Sequence, residues 1–269
     1  MLQKRSFPLS TLNAEDDAPV TREVPFFQFP GLSAYPHVAH FVFTRHGGVS
    51  DSAFRSLNVS FSTGDSAKNV ETNLSIIREI TGARSLRFMD QAHGKNIVTV
   101  KERDLRDVEG PITGDAMITD LPGVALLVKQ ADCQAVVLYD PVKRVVSNVH
   151  CGWRGNVQGL LSDVISAMRE EFGCDPSRLR AAIGPSLGPC CAEFVTHQEI
   201  FPESFSAFMI RDNYFDLRAI SRSQLVESGL DETHIESVDW CTRCRTDLFY
   251  SYRGEGQTGR FATVVMLKP

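Results

Sequence analysis

Short apolar runs rich in β-branched residues recur along this chain: HFVFTR at 40–45, NIVTV at 96–100, AMIT at 116–119, VALLV at 124–128, AVVLY at 135–139, VVSNV at 145–149, LRAAIG at 179–184 and ATVVML at 262–267. Runs of this length and composition predict strands. Leu121-Pro122-Gly123 and Asp140-Pro141 punctuate the densest stretch, so 116–149 reads as an antiparallel meander. Helical spacing is clearest over 155–173, where Val157, Leu160, Leu161, Val164, Ile165, Met168 and Phe172 share a face and Gly173 supplies the stop. A second helix is expected over 67–80, with Asp65 or Ser66 as N-cap and Val70, Leu74 and Ile77 as its apolar stripe. Shorter helices are expected at 197–208 and 221–228. Many strands with interspersed helices, and no regular strand–helix alternation, predict an α+β fold rather than a doubly wound sheet. No GxGxxG or P-loop sequence is present to argue for a dinucleotide or nucleotide cradle.

No repeat, low-complexity segment or linker divides the chain, so one domain is expected over residues 1–269, with the polar, proline-punctuated residues 1–36 as an irregular arm. A net charge of −5 gives no electrostatic case for nucleic acid or an anionic membrane. No apolar run approaches the roughly 18–20 residues of a spanning helix, and the N-terminus lacks the apolar region of a signal peptide, so a cytoplasmic protein is expected. Its oligomeric state is left open. Seven cysteines, an odd number in a chain too long to need disulfide stapling, fit a reducing compartment. The CxxC of Cys241 and Cys244 lacks a second pair at structural-zinc spacing, because Cys190 and Cys191 are adjacent. These four thiols are expected to be reduced and not to hold a zinc.

The chemistry concentrates elsewhere. VVSNVHCGWRG at 145–155 ends an apolar strand in His150, followed by a glycine turn with Arg154. QAHG puts His93 on a second turn, and ADCQAVVLYDP puts Cys133 before a third apolar run. A lone histidine of this kind is ordinarily a core residue hydrogen-bonded to a carbonyl. Two histidines and a cysteine, all beside turns at the ends of apolar runs, instead fit a zinc site with an open position; copper is compatible with the same donors. Asp132, adjacent to Cys133, could orient a ligand. Arg45 in TRHGGVS is a candidate anion ligand, and so is Arg154, beside the N–H groups opening the long helix. GPSLGPCCAEF at 184–194 is a rigid loop that could place Glu193, and the glycine-rich 249–262 brings Tyr252, Arg253 and Arg260.

TRHGGVS, QAHG, GDAMIT, ADCQAVVLYDP, VHCGWRG, GPSLGPCCAEF and SYRGEGQTGR, in this order, resemble the YfiH-type family, also called the laccase-domain, polyphenol oxidoreductase or purine nucleoside phosphorylase family. The resemblance runs from about residue 40 to the C-terminus. It implies a layered α/β/β/α-type sandwich of mixed, largely antiparallel sheets flanked by helices. It also implies one metal, usually zinc, on His93, Cys133 and His150, the same three positions reached from the residues. The implied activity is phosphorolysis of adenosine, inosine and methylthioadenosine, with adenosine deamination in the same pocket. Phosphate would then fall to Arg45, Arg154 and Arg253, and proton transfer to Asp132 or Glu193. The chain departs from the family pattern at HCGWRG, ADCQAV and SYRGEGQTGR, which keeps every proposed ligand but alters the surroundings. Three rivals stand beside this reading: copper-dependent phenol oxidation, a Cys133–His150 hydrolase that edits peptidoglycan precursors, and a non-catalytic zinc-stabilised binding module. Seven histidines without any HxH pair weigh against laccase chemistry.

Overall fold

A computed structural model describes residues 2–12, 19–105 and 112–269. Two sheets carry the fold. The seven-stranded sheet runs in the order Gln3–Leu12, Pro19–Gln28, Val38–Phe43, Phe261–Leu267, Val124–Gln130, Ser85–Asp90 and Ile112–Thr113. The six-stranded sheet runs Ile235–Ser237, Arg180–Ile183, Gln134–Asp140, Val145–Cys151, Ala116–Thr119 and Ile97–Thr99. Neighbours are antiparallel except at four pairings towards the sheet margins and along Ser85–Asp90. This is the mixed α+β arrangement expected.

The central apolar runs do not alternate with polar residues because both faces of each sheet are covered. In Val124–Gln130, Leu126 and Val128 face Val137 and Tyr139 of the second sheet, whereas Ala125 and Leu127 face Ile76, Ile77 and Ile80 of the helix Ala67–Thr81. In Gln134–Asp140, Val136 and Leu138 turn outward onto Leu161, Val164 and Met168 of the helix Leu160–Phe172. Successive side chains of a strand point to opposite faces, so one run feeds two apolar layers. The result is helix, sheet, sheet, helix. Trimming one such side chain, as in Leu127→Ala, would cost roughly 2–5 kcal/mol.

Several expectations need correction. Within the expected irregular arm, Gln3–Leu12 and Pro19–Gln28 are strands that pair antiparallel in register and extend the first sheet. Their charges and prolines are the composition of an edge, where an unpaired backbone must be kept from recruiting another chain. The stretch 116–149 is not a meander. Val124–Gln130 lies in the first sheet, while Ala116–Thr119 and Gln134–Asp140 flank Val145–Cys151 in the second. The segment 131–133 therefore crosses between sheets. The helix expected over 155–173 is two, Trp153–Val157 and Leu160–Phe172, broken by Gly159 at φ +71°. The 197–208 segment splits at Pro202 into a helical turn, His197–Ile200, and a 3-10 segment, Glu203–Phe208. The 221–228 helix starts earlier, as Leu217–Glu227, where Asp216 caps the N–H groups of Arg218 and Ala219. Among the described residues no helix is long and apolar enough to cross a membrane.

Candidate metal centre and substrate cleft

Strand directions bring the chemistry to one rim. Ser85–Asp90, Val124–Gln130 and Val145–Cys151 end there, while Gln134–Asp140 and Phe261–Leu267 begin there. The loops beyond these ends enclose a cleft of about 570 Å³ that includes His93, Cys133 and His150 in its lining. The candidate ligand atoms of those three residues lie within 4.8 Å of one another. His93 is exposed, Cys133 half-buried and His150 buried, so the group opens on one side only.

Asp115 builds this arrangement. Its Oδ1 accepts from His150 Nδ1 at 2.8 Å and from the His93 N–H at 3.0 Å, and its Oδ2 accepts from the Gly94 N–H at 2.7 Å. One carboxylate thus folds the QAHG turn around itself, holds His93 at φ +57°, and directs His150 Nε2 toward the cleft. Burial alone would raise the Asp115 carboxyl, but the His150 ring and the backbone N–H groups of Gly94 and His93 bring it below the usual range. Burial likewise opposes the Cys133 thiolate, yet His150 and His93 beside it bring that thiol down to about 6. Burial works against a charged His150, and Cys133 and Asp115 outweigh it, lifting the imidazole to about 9. A thiolate between two imidazoles is the donor set that a borderline cation takes.

Gly152 is part of the cradle. A Cβ there would stand 2.8 Å from Cys133 Sγ and 3.5 Å from His93 Cδ2, so a side chain would fill the space beside the donors. The neighbouring Cys151 is no extra ligand. The pleat turns it to the opposite face, where Sγ meets Asn156 Oδ1 at 2.9 Å and burial pushes the thiol up.

Other expected residues are placed differently. Asp132 lines the cleft at φ +93°, but its carboxylate does not reach a ligand. Oδ1 accepts from Thr242 Oγ1 at 2.6 Å and Ser251 Oγ at 2.7 Å, and Oδ2 from the Arg253 N–H at 2.6 Å. Through these three donors it fastens the 242–253 loop. Arg45 is outside the cleft and already occupied: Nη1 donates to Glu255 at 2.8 Å and to Thr246 O at 2.9 Å, Nε donates to Arg55 O, and the guanidinium lies 4.4 Å over the Tyr250 ring. Glu193 is exposed and outside the cleft lining; its carbonyl accepts from Arg253 Nη1 at 2.9 Å. Arg154 does line the cleft, stacked 4.4 Å from Trp153, but on a five-residue helix rather than a long one, so the helix-terminus argument for it lapses. Arg253 reaches the cleft 5.5 Å over the Phe194 ring.

Sequence reasoning missed Asp115, Lys129 and the position of Arg260. Asp115 precedes AMIT in GDAMIT, where a carboxylate at a turn before a buried strand was the available signal. Lys129 sits on the rim of its strand, its charge disfavoured by burial and by Arg260, with Asp90 opposing. Burial also disfavours the charge on Arg260, against the pull of Cys133 and Asp132; its Nη1 is bonded to the Thr258 and Gly259 carbonyls. Lys129 and Arg260 thus place two cations in the lining of one cleft, with Asp90, Asp132 and Cys133 as the opposite charges around them.

The family model described as multi-copper polyphenol oxidoreductase laccase matches residues 39–268. The chain belongs to this YfiH-type family. It is 29% identical to a purine nucleoside phosphorylase of Bacteroides thetaiotaomicron over 92% of this chain and 98% of that one. It is 33% identical to one of Pseudomonas aeruginosa over 89% and 97%. The crystal structure of YfiH from Bacillus licheniformis superposes with a TM-score of 0.82 at 28% identity, covering 90% of this chain and 96% of that one. YlmD from Geobacillus stearothermophilus gives 0.81 at 28%, over 91% and 96%. The family description carries copper, but the histidines here do not gather for a multinuclear centre. His37 contacts Arg144, His40 the Phe29 N–H, His46 the Asp247 carbonyl, His197 the Phe215 ring and His234 the Ser177 carbonyl.

Proposed function

We propose that the cleft is a purine nucleoside phosphorylase site for adenosine and inosine, with room for methylthioadenosine, built around one zinc on His93, Cys133 and His150. The observation that carries this reading is the Lys129–Arg260 cation pair in the same cleft as the three donors. A cleft of about 570 Å³ suits a nucleoside with phosphate. Phe194, Trp153 and Tyr252 offer flat apolar surface for a purine. The names of the relatives point the same way.

In phosphorolysis a phosphate oxygen bonds to the anomeric carbon as the bond from that carbon to the purine nitrogen breaks, and the electron pair leaves with the base, which is then protonated. Arg260 and Lys129 bind and orient the phosphate dianion, and their charge offsets the negative charge brought into the cleft. Arg154 and Arg253 extend this positive wall. Asp132 acts through the chain: by pinning Ser251 and the Arg253 N–H it sets the loop that presents Tyr252 and Arg253. A zinc held by His93, Cys133 and His150 would supply a Lewis acid to the cleft.

The same cleft supports a second activity, hydrolytic deamination, in which water replaces the amino group of adenosine to give inosine and ammonia. Asp132 is saturated with donors, so Asp90, which lines the cleft opposite Lys129, is the carboxylate left to move a proton. Asp90→Asn should then depress inosine formation more than adenine release. The deciding experiment follows adenosine with and without phosphate on zinc-replete protein. Adenine and ribose 1-phosphate should appear only with phosphate, and inosine in both. No turnover of adenosine or inosine in either condition overturns the reading. Turnover by metal-free protein that alkylation of Cys133 abolishes would favour the cysteine hydrolase instead.

A further inference from the structure

Four cysteines far from the first centre in sequence meet on the outer side of the loops that wall the cleft. Cys190 and Cys191 lie in the turn of the 184–194 loop, and Cys241 and Cys244 in the turn that follows Val238. All four sulfurs fall within 4.8 Å of one another, and Cys244 Sγ is 3.6 Å from both Cys190 Sγ and Cys191 Sγ. A zinc with four thiolates at about 2.3 Å holds its sulfurs about 3.8 Å apart, the edge of the tetrahedron. A disulfide would need about 2.05 Å.

The backbone closes around the Cys241 sulfur. The backbone N–H groups of Gly188 and Cys244 both point at the Cys241 sulfur, and Gly188 is packed so closely that a Cβ would stand 2.9 Å from Cys241 Cβ. Adjacent cysteines in a strand would face opposite ways, but in a turn Cys190 and Cys191 serve the same point. The ligand count that looked incomplete in the sequence is four.

We propose that Cys190, Cys191, Cys241 and Cys244 form a closed, structural four-thiolate zinc site that staples the two loops behind the cleft wall. Binding exchanges four thiol protons for one Zn²⁺, with no change of oxidation state. The two loops already touch through the Thr242 N–H to Ser186 O at 3.0 Å and the Ser186 N–H to Trp240 O at 3.3 Å. One loop carries Leu187 and Phe194 into the cleft, and the other continues to Tyr252 and Arg253. Zinc at the four sulfurs fixes the distance between these lining groups without meeting substrate, and the site stands whichever reaction the cleft performs.

The test is metal stoichiometry of the full chain purified under reducing conditions. Wild type should hold two zinc ions, His93→Ala/His150→Ala one, and Cys241→Ser/Cys244→Ser one. Cobalt substituted into the His93→Ala/His150→Ala protein should give the intense thiolate-to-metal charge-transfer bands of a four-sulfur site. If the double serine variant does not fold, alkylation mapping of wild type decides. Cys190, Cys191, Cys241 and Cys244 should resist the reagent until a chelator removes zinc, then react together. One zinc per chain with these four thiols freely alkylated overturns the proposal, and so does a disulfide among them in the reduced protein.

Discussion

Two buried histidines lie on central strands, and they have opposite characters. His40, in Val38–Phe43, accepts the Phe29 N–H at Nε2 from 2.7 Å; burial first, then Lys268, push it down to about 4. His150, in Val145–Cys151, is buried too, yet Cys133 and Asp115 lift it to about 9. Strand position and burial are therefore alike for a structural histidine and a candidate metal ligand. The difference lies in the partners: a backbone donor fixes His40 as a neutral acceptor, while a thiolate and a carboxylate make His150 a site that a proton or a metal ion fills.

The largest effect that would break this comparison is at His150 itself. His150→Ala should remove the metal of the cleft and reduce phosphorolysis to background, whereas His40→Gln should leave zinc stoichiometry and turnover unchanged. Metal analysis beside an adenosine assay reads both. Equal metal retention in the two variants would mean that His150 is as structural as His40.

Asp115 sharpens the comparison by one step. Asp115→Asn cannot accept from all of its present donors, so the QAHG turn and the His150 ring lose their common anchor. Metal affinity should fall roughly 10–100-fold, the usual range for a residue supporting a ligand. Competition with a chelating dye measures it. A variant with unchanged affinity would show that the strand ends alone position the ligands.

A comparable loss is expected at the phosphate. Arg260→Ala removes a charge-assisted contact, about 1.5–3 kcal/mol, and should raise the KM for phosphate roughly 10- to 100-fold. Arg45→Ala should leave that KM alone and lower the melting temperature, because its partners are Glu255, backbone carbonyls and the Tyr250 ring. The reverse pattern would restore Arg45 to the substrate.

The sequence read well where one residue's environment is set by its own run of neighbours. Val124–Gln130 and Val145–Cys151 are strands on any reading, and turn residues at their ends singled out His93, Cys133 and His150. What stayed hidden depended on pairings between distant segments. Val124–Gln130 and Gln134–Asp140 look like hairpin partners, but with apolar residues on both faces nothing local says which sheet each joins. Asp115 and Asp132 are both carboxylates beside turns, and only the tertiary contacts show that Asp115 holds His150 while Asp132 holds Ser251 and Arg253. The spacing of the cysteines at 190, 191, 241 and 244 argues against a shared site by a rule for local knuckles, which does not govern two turns brought together by the fold.

The last effect concerns His40 and appears only in acid. Its folded pKa, about 4, lies below the unfolded value of 6.5, so between these limits the unfolded chain binds more protons than the folded one. Stability therefore rises with pH across that window, and acidification from about 6.5 to about 4 removes up to about 3 kcal/mol. Above pH 7 the histidine is neutral in both states and contributes no slope. Denaturant unfolding at half-unit steps from pH 4 to 7 should show this slope in wild type. In His40→Gln the amide can still accept the Phe29 N–H but has no proton to gain, so the slope should flatten even if the variant is less stable throughout. A parallel pair of curves would assign the acid sensitivity to other groups and leave His40 without the neutral, hydrogen-bonded role that sets it apart from His150.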